Sequence, residues 1–181
     1  GKNKFDIEVR IYNSKCDIDE LYSVYRETMD RIGSVDYLYF SREYFKELVA
    51  KIPSIITSAY VEDQLIASII WIKGKHIFHG HLGGAKTKYL HYSPYSVLYY
   101  EGLLQAKREG MQMIHFGGGA TNDPNDNLLK YKLHFSKTKA DFFIGKKVHN
   151  DQIYNKVVSE WNSRFPEKTE KYKNFLLKYR Y

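Results

Sequence analysis

Cysteine is almost absent from this chain, since Cys16 is the single cysteine among 181 residues. One thiol excludes an internal disulfide framework and any metal site built from several cysteines. We expect Cys16 to be a packing residue rather than a nucleophile. His76, His79 and His81 lie close together in the sequence, but no carboxylate spacing completes a ligand set. We therefore predict that the chain binds no metal.

Long apolar runs are also missing. No segment approaches the ~20 apolar residues that a membrane-spanning helix needs, and no charged-then-apolar leader opens the chain. We therefore expect a cytoplasmic protein without a transmembrane segment, with the inner membrane surface as an alternative location. Apolar residues still make up 43% of the chain, which is enough for one domain with a buried core.

Acidic residues are fewer than basic ones, 21 against 28, and the formal net charge is +7. The isoelectric point is near 9.2. This balance favours anionic partners such as nucleic acid, a phosphorylated substrate or a membrane surface. Aromatic residues are abundant, and tyrosine alone occurs 17 times. Tyrosine rings can stack on bases or sugars, although packing is their usual use.

Hydrophobic periodicity predicts an ordered series of elements: strand, two helices, three strands, helix, strand, helix, strand, and two final helices. The predicted strands are 5–11, 55–62, 65–73, 76–84, 111–116 and 139–148, and the predicted helices are 17–32, 41–52, 93–110, 127–135, 151–163 and 167–179. The three strands in succession indicate an antiparallel meander. The strand at 111–116 is short and mostly apolar, which favours a position at the centre of the sheet.

Three glycines, Gly117, Gly118 and Gly119, follow this short strand, and a predicted helix that carries Tyr131 and Lys132 comes soon after. Glycines at the end of a strand let the backbone turn with positive φ and let another group approach closely. This pattern is typical of a site that opens in a sheet. The alternative is a glycine turn that only joins a strand to a helix.

Four motifs carry a resemblance to a known family. They are Leu21-Tyr-x-x-Tyr-x-x-Thr-Met-Asp-Arg31, Phe40-Ser-x-Glu-Tyr-Phe45, Gly117-Gly-Gly119 and Tyr131-Lys132-x-x-Phe135. Together with the element order, which is similar to that of GNAT acyltransferases, they resemble the second half of the FemABX peptidoglycan-bridge aminoacyltransferases. Those enzymes are built of two GNAT-like halves, so the resemblance implies that an N-terminal GNAT-like half is missing here.

The fold implied by this resemblance is an α/β (α+β) GNAT-like acyltransferase fold, with a mixed, mostly antiparallel sheet flanked by helices. We place the GNAT-like domain at residues 1–165 and a C-terminal helical extension at residues 166–181. The implied reaction is acyl transfer to an amine. Such a reaction needs an uncharged amine, an activated carbonyl within near-attack distance and donors for the developing oxyanion.

The resemblance also implies roles for individual residues. Lys132 matches the lysine that family members place beside the donor and acceptor, which predicts a catalytic role, and Tyr131 would shape the substrate pocket with the glycines Gly117–Gly119. Spacing alone would instead place Lys132 on a solvated helix face. Arg31 ends the first-helix motif and would bind an acceptor phosphate or carboxylate, or interact only with the helix C-terminus. Tyr39 is a candidate to line a groove, with packing as its first interpretation.

The loop after the fourth predicted strand differs from that of ordinary acetyltransferases. Those enzymes carry a Gln/Arg-x-x-Gly-x-Gly/Ala loop whose N–H groups hold the CoA pyrophosphate. Here the pair Gly83-Gly84 comes too early, and Pro94 removes one donor. Lys86 and Lys88 suit a polyanion with stackable bases, such as the end of a tRNA, although lysines on an exposed loop are usually just solvated.

Three functions stay open at this point. The first is a FemABX-type enzyme that transfers an aminoacyl group from aminoacyl-tRNA to an amine of a cell-wall precursor. The second is a CoA-dependent N-acyltransferase acting on an amino sugar of a surface polysaccharide, and the third is a non-catalytic GNAT-like module that binds RNA or a glycan. We expect no tightly bound cofactor, because the aminoacyl-tRNA or acyl-CoA is a donor substrate. We also expect weak or no activity from the chain alone, because the two-half relatives build their acceptor site partly from the first half.

Overall fold

The computed structural model describes residues 6–13, 17–121 and 123–181. Its strands are β1 (Glu8–Tyr12), β2 (Ser54–Val61), β3 (Gln64–Lys73), β4 (Ile77–Ala85) and β5 (Met113–His115). Its helices are α1 (Ile18–Arg31), α2 (Arg42–Lys51), α3 (Pro94–Arg108), α4 (Asn127–Lys132), α5 (Asp151–Arg164) and α6 (Pro166–Tyr172), with short 3-10 helices at Asp36–Leu38, Thr87–Tyr92 and Lys178–Arg180. Cys16, and Phe5 at the start of the first predicted strand, lie outside the described residues.

The described residues form a sheet of five strands in the order β1-β2-β3-β4-β5. The three pairings from β1 to β4 are antiparallel, and β4 pairs with β5 in parallel. The three successive strands β2, β3 and β4 form the predicted meander. The central position predicted for the strand at 111–116 is wrong, because β5 lies at the edge of the sheet and two of its three residues are exposed. The predicted fold class, a mixed and mostly antiparallel sheet flanked by helices, is confirmed.

Helices cover both faces of this sheet. Trp71 and Phe78 pack with Leu98 of α3 in one cluster, whereas Ile70 packs with Phe45 of α2 in another. Because β3 is covered on both faces, its residues are buried without interruption through most of the strand. Burial of large side chains on both faces makes β3 the centre of the core.

Two glycines allow helices to approach the sheet closely. A Cβ on Gly84 of β4 would lie 2.2 Å from the carbonyl oxygen of Val24 in α1, and a Cβ on Gly102 of α3 would lie 2.5 Å from the indole ring of Trp71. Both distances are far below van der Waals contact. The backbone of α1 therefore packs directly on β4, and the backbone of α3 packs directly on Trp71.

The chain divides into two compact units, residues 1–136 and residues 137–181. This division lies earlier in the chain than the domain boundary that we predict after residue 165 from the sequence. The predicted boundary stays a prediction. In the second unit, the Tyr154 hydroxyl donates to the Leu176 carbonyl, and the Trp161 indole N–H donates to the Tyr181 carbonyl. The described residues contain no helix that is both long and apolar enough to cross a membrane.

The strand predicted at 139–148 is wrong, because this segment has no regular secondary structure. Phe142 and Phe143 are 88% and 84% exposed, so the apolar run that motivated the prediction does not pack into the core. A strand is stable only when its backbone groups pair with a neighbour, and the described strands that form the sheet are all within the first unit. The second of the two final helices is also shorter than predicted and ends at Tyr172.

Candidate functional site

The sheet opens between β4 and β5. The two strands pair over three residue pairs, of which His79 with His115 is the last. β5 ends there, whereas β4 continues to Ala85, so among the described residues the far half of β4 has no neighbouring strand on this side. An unpaired strand edge presents backbone N–H and C=O groups that an extended ligand can bind.

A cleft of about 840 Å³ lies at this opening. Its size is within the usual range of small-molecule sites, about 300–1,000 Å³. β4 contributes one wall, and aromatic side chains from α3, α4 and the end of β5 contribute much of the rest; these are Tyr95, Tyr99, Phe116 and Tyr131. Burial raises the pKa of Tyr99 to about 12 and that of Tyr131 in the same direction, so these hydroxyls stay protonated at neutral pH.

Lys132 lies in the cleft, and its Nζ donates to the Gly118 carbonyl at 2.6 Å. The chain turns beneath it at Gly117, where φ is +73° and a Cβ would lie 3.4 Å from Nζ. Burial lowers the pKa of Lys132, and the Asp126 carboxylate opposes that effect. A partly buried cation in a fixed position can stabilise negative charge that develops on a bound substrate.

Tyr131 connects α4 with the start of α3. Its hydroxyl lies 3.1 Å from Oγ of Ser96, and its ring packs edge-on against Tyr99 and Phe135, with centroid distances of 5.9 and 5.5 Å. These contacts hold the side of the cleft that carries Lys132. The predicted pocket-shaping role of Tyr131 stays a prediction.

Asp126 organises the loop that follows the three glycines. Its carboxylate caps α4 by accepting from the Leu129 N–H at 2.9 Å, and it also accepts from the N–H groups of Ala120 and Thr121 at 3.2 and 3.1 Å. A Cβ on Gly119 would lie 2.5 Å from this carboxylate, so glycine is required for the loop to fold against it. The Leu129 N–H contributes most to lowering the pKa of Asp126.

Replacing Asp126 by alanine should release this loop. We expect amide hydrogen exchange at Ala120 and Thr121 to become at least about tenfold faster, since both N–H groups lose their acceptor. Asp123→Ala is the matched control, because that carboxylate accepts from a different loop amide. Unchanged exchange at Ala120 and Thr121 in Asp126→Ala would contradict the assignment.

The same loop should respond to acid. The pKa of Asp126 is lowered in the folded state. The stability that its carboxylate gives to the folded loop is therefore fully present above the ordinary aspartate pKa of about 3.9, and it is lost as the pH falls through the lowered pKa. Exchange at Ala120 and Thr121, corrected for intrinsic rates, should therefore accelerate only below about pH 4.

Arg31 lies at the edge of the cleft. Its guanidinium donates to the Ala85 carbonyl at 2.8 Å and to Oγ1 of Thr87 at 3.1 Å, while the Thr87 N–H donates to the Glu27 carboxylate at 2.6 Å. These bonds tie α1 to the loop after β4. They give Arg31 a structural function, and its predicted role in binding an acceptor anion stays a prediction.

Three other predicted residues do not line the cleft. The Tyr39 ring lies under the Arg26 guanidinium, 4.7 Å away, whereas Lys86 is partly buried and Lys88 is exposed, with its Nζ 5.2 Å from the Tyr89 ring centroid. Their predicted ligand roles stay predictions. The structure thus brings Arg31, Tyr131 and Lys132 together at one cleft, with the glycine loop beside Lys132.

A histidine on β4 belongs to this site and was not predicted as part of it. His81 lines the cleft, and its Nε2 lies 3.0 Å from the Tyr44 hydroxyl. Nearby, Nδ1 of His79 lies 2.8 Å from Nδ1 of His115. The sequence signal was two histidines at alternate positions just before a glycine pair, which we weighed only as metal ligands. In the described parts of the chain, no group of three or more His, Cys, Asp or Glu side chains could hold a metal ion.

Three solved structures share this fold. An aminoglycoside acetyltransferase from an uncultured soil metagenomic sample, in complex with sisomicin, matches with TM-score 0.58 and 9% identity over 83% of this chain and 99% of that chain. A possible acetyltransferase from Clostridium difficile 630 matches with TM-score 0.57 and 15% identity, over 79% of this chain and 99% of that chain. The PaiA N-acetyltransferase from Thermoplasma acidophilum, in complex with coenzyme A, matches with TM-score 0.53 and 18% identity, over 77% of this chain and 93% of that chain.

A comparison with curated proteins finds no match. The family model Acetyltransf_6, described as an acetyltransferase (GNAT) domain, matches residues 3–133. This range holds the whole sheet, the cleft and Lys132. The chain therefore belongs to this family of GNAT acetyltransferase domains and is an acyltransferase.

Proposed function

We propose that this chain transfers an acyl group from acyl-CoA to the amine of an amino sugar. The observation that carries the proposal is the opening between β4 and β5, where a cleft exposes the unpaired edge of β4 and contains Lys132. The pantetheine arm of acyl-CoA is an extended chain with two amide groups, so it can pair with a free strand edge. The thioester at its end would then lie inside the cleft.

In this arrangement the acceptor nitrogen attacks the thioester carbonyl, a C–N bond forms, and the C–S bond breaks. Negative charge develops on the carbonyl oxygen during the attack. The Lys132 ammonium, held by its bond to the Gly118 carbonyl, would stabilise that charge. Donor and acceptor bound between the aromatic walls would displace water from the reacting groups, which would strengthen the interaction and limit hydrolysis of the thioester.

An amino sugar suits the acceptor side of the cleft. Aromatic rings bind the apolar faces of sugars, and Tyr95, Tyr99 and Phe116 supply such rings here. The relative from the soil metagenome is an aminoglycoside acetyltransferase that was solved with sisomicin bound. This fold therefore accommodates an amino-sugar acceptor in at least one relative, which supports the same acceptor class for this chain.

A second candidate is the FemABX-type reaction with aminoacyl-tRNA as donor and an amine of a cell-wall precursor as acceptor. The Thr87 N–H, in the loop where ordinary acetyltransferases bind pyrophosphate, is already taken by the Glu27 carboxylate. A carboxylate at this point repels a pyrophosphate, whereas Lys86 and Lys88 on the same loop could contact a polynucleotide backbone. Under this candidate, the chain would act with an N-terminal GNAT-like half.

Transfer assays in parallel would separate the two donors. Acetyl-CoA with a panel of amino sugars, and aminoacyl-tRNA with a UDP-linked muramyl peptide, would be incubated with the chain and the products identified by mass spectrometry. We expect acetylated amino sugar. Product in the aminoacyl-tRNA reaction alone would favour the second candidate, and no product in the acetyl-CoA reaction would contradict the proposed function.

The double variant Lys86→Ala/Lys88→Ala makes the distinction quantitative. If acyl-CoA is the donor, we expect kcat/KM to stay within about twofold of the wild type, because neither lysine lines the cleft. If tRNA is the donor, the slope of log affinity against log salt should fall by about two, one for each lost phosphate contact. Binding of deacylated tRNA at several salt concentrations measures that slope.

A further inference from the structure

We infer that His81 is the general base of this site, that its Nδ1 takes the proton of the attacking amine, and that Tyr44 positions its ring. The inference rests on the proposed function, since it assigns a residue to the amine acylation described above. It is independent of which activated donor supplies the acyl group, because the acceptor amine must lose a proton in either case.

A bulge in β4 places His81 in the cleft. The successive β3 residues Ile70 and Trp71 pair with Leu82 and Gly80, which leaves His81 without a partner on β3. A bulge of this kind turns one side chain away from its regular direction, and such bulges are common beside active sites. The result here is an imidazole that lines the cleft.

The Tyr44 hydroxyl sets the position of the ring and can select its tautomer. Tyr44 lies on α2, and its hydroxyl is 3.0 Å from Nε2 of His81. When Nε2–H donates to this hydroxyl oxygen, Nδ1 carries the lone pair and can accept a proton. The same bond stabilises the imidazolium that forms, because a cationic donor makes a stronger hydrogen bond than a neutral one.

The surroundings keep His81 neutral before the reaction. Burial lowers its pKa below the ordinary value of 6.5, so at neutral pH the ring is in the form that accepts a proton. The titratable or charged groups around this part of the cleft come from six elements: Tyr44 on α2, His79 on β4, His115 at the end of β5, Arg31 on α1, Tyr95 and Tyr99 on α3, and Asp126, Tyr131 and Lys132 at α4. None of these places a carboxylate on the His81 ring, which would raise its pKa.

The roles of His81 and Lys132 are complementary. The amine nitrogen forms a C–N bond to the carbonyl carbon, its surplus proton moves to Nδ1 of His81, and the leaving thiolate departs with the C–S electron pair. The thiolate takes up a proton from water, and His81 returns its proton to water, so the net reaction consumes and releases none. Lys132 keeps its proton and supplies positive charge, while His81 supplies a lone pair.

The test is the pH profile of kcat/KM for acyl transfer by the wild-type chain, His81→Gln and Tyr44→Phe. We expect the wild type to show an acidic limb with a pKa below 6.5. His81→Gln should lose about a hundredfold in kcat/KM, and that limb should vanish, while the limb due to the acceptor amine itself remains. Tyr44→Phe should keep the limb and shift it to lower pH, because the imidazolium loses its hydrogen-bond acceptor.

Chemical rescue separates catalysis from a structural effect. His81→Ala should regain activity several-fold when imidazole is added, and His76→Gln, which changes an exposed histidine outside the cleft, should behave as the wild type. Undiminished transfer by His81→Gln, or a profile that keeps the wild-type acidic limb, would overturn the assignment of the base and leave the proposed function intact. Absence of transfer by the wild type with either donor would instead overturn the proposed function.

Discussion

Lys132→Ala should lower kcat for acyl transfer by roughly 10² to 10³-fold, with a much smaller change in KM. The loss is expected in kcat because the ammonium acts on charge that appears only as the carbonyl is attacked. A loss of this size is usual when one donor to a developing oxyanion is removed. The partial burial of Lys132 and its 2.6 Å bond to the Gly118 carbonyl fix the cation in the cleft. Steady-state kinetics with acetyl-CoA and an amino sugar would measure the effect.

Lys130 provides the matched control for this experiment. It lies on the same helix and carries the same charge, but it is exposed and does not line the cleft. Lys130→Ala should therefore leave kcat and KM within about twofold, as expected for a surface charge. Equal effects of the two substitutions, or an effect of Lys132→Ala confined to KM, would mean that Lys132 contributes only general binding.

Gly84→Ala should destabilise the folded state by about 3 kcal/mol or more. The added methyl would lie 2.2 Å from the Val24 carbonyl oxygen, and because it meets backbone atoms of α1, no side-chain rotation can relieve the clash. Chemical denaturation followed by circular dichroism would give the change in the free energy of unfolding. We also expect weaker acyl transfer, since α1 and β4 both line the cleft.

Gly118→Ala serves as the control for stability. A Cβ on Gly118 has no atom within 4 Å, so its free energy of unfolding should stay within about 0.5 kcal/mol of the wild type. A similar loss in the two variants would indicate a general intolerance of glycine replacement. A Gly84→Ala variant as stable as the wild type would show that α1 does not pack on β4 as described.

The order of elements through the short fifth strand was predictable because each one carries its own local signal. Asp17 and Ser41, which are residue types that favour helix N-caps, cap α1 and α2, and the meander follows from alternating β-rich runs and short turns. The segment at 139–148 also contains an apolar run, Phe142 to Ile144, but forms no strand. Strand pairing depends on which distant segment is available as a partner, and periodicity alone does not contain that information.

The candidate site was predictable only in part. Tyr131 and Lys132 were found because they follow a strand that ends in glycines and match a family motif. His81 was missed because its orientation depends on a register shift between β3 and β4, which appears only when the strands are paired. Asp126 was missed for a related reason, since its function depends on the glycine loop folding back against the start of α4.

The family assignment also narrows the three functions that the sequence left open. A GNAT domain match over residues 3–133 identifies an acyltransferase, and a non-catalytic binding module is therefore not retained. The basic net charge of +7 remains compatible with an anionic substrate such as acyl-CoA, a sugar nucleotide or tRNA. The donor and the acceptor are the two parts of the reaction that the proposed assays determine.

The central claim, acyl transfer to an amine in the cleft between β4 and β5, is tested most directly by incubating the wild-type chain with isotope-labelled acetyl-CoA and a panel of amino sugars, with Lys132→Ala in parallel. We predict a labelled N-acetylated sugar from the wild type and little from Lys132→Ala, with both proteins equally folded. Labelled product at equal rates from the two proteins would contradict the proposed cleft, and no labelled product with any amino sugar would contradict the proposed reaction.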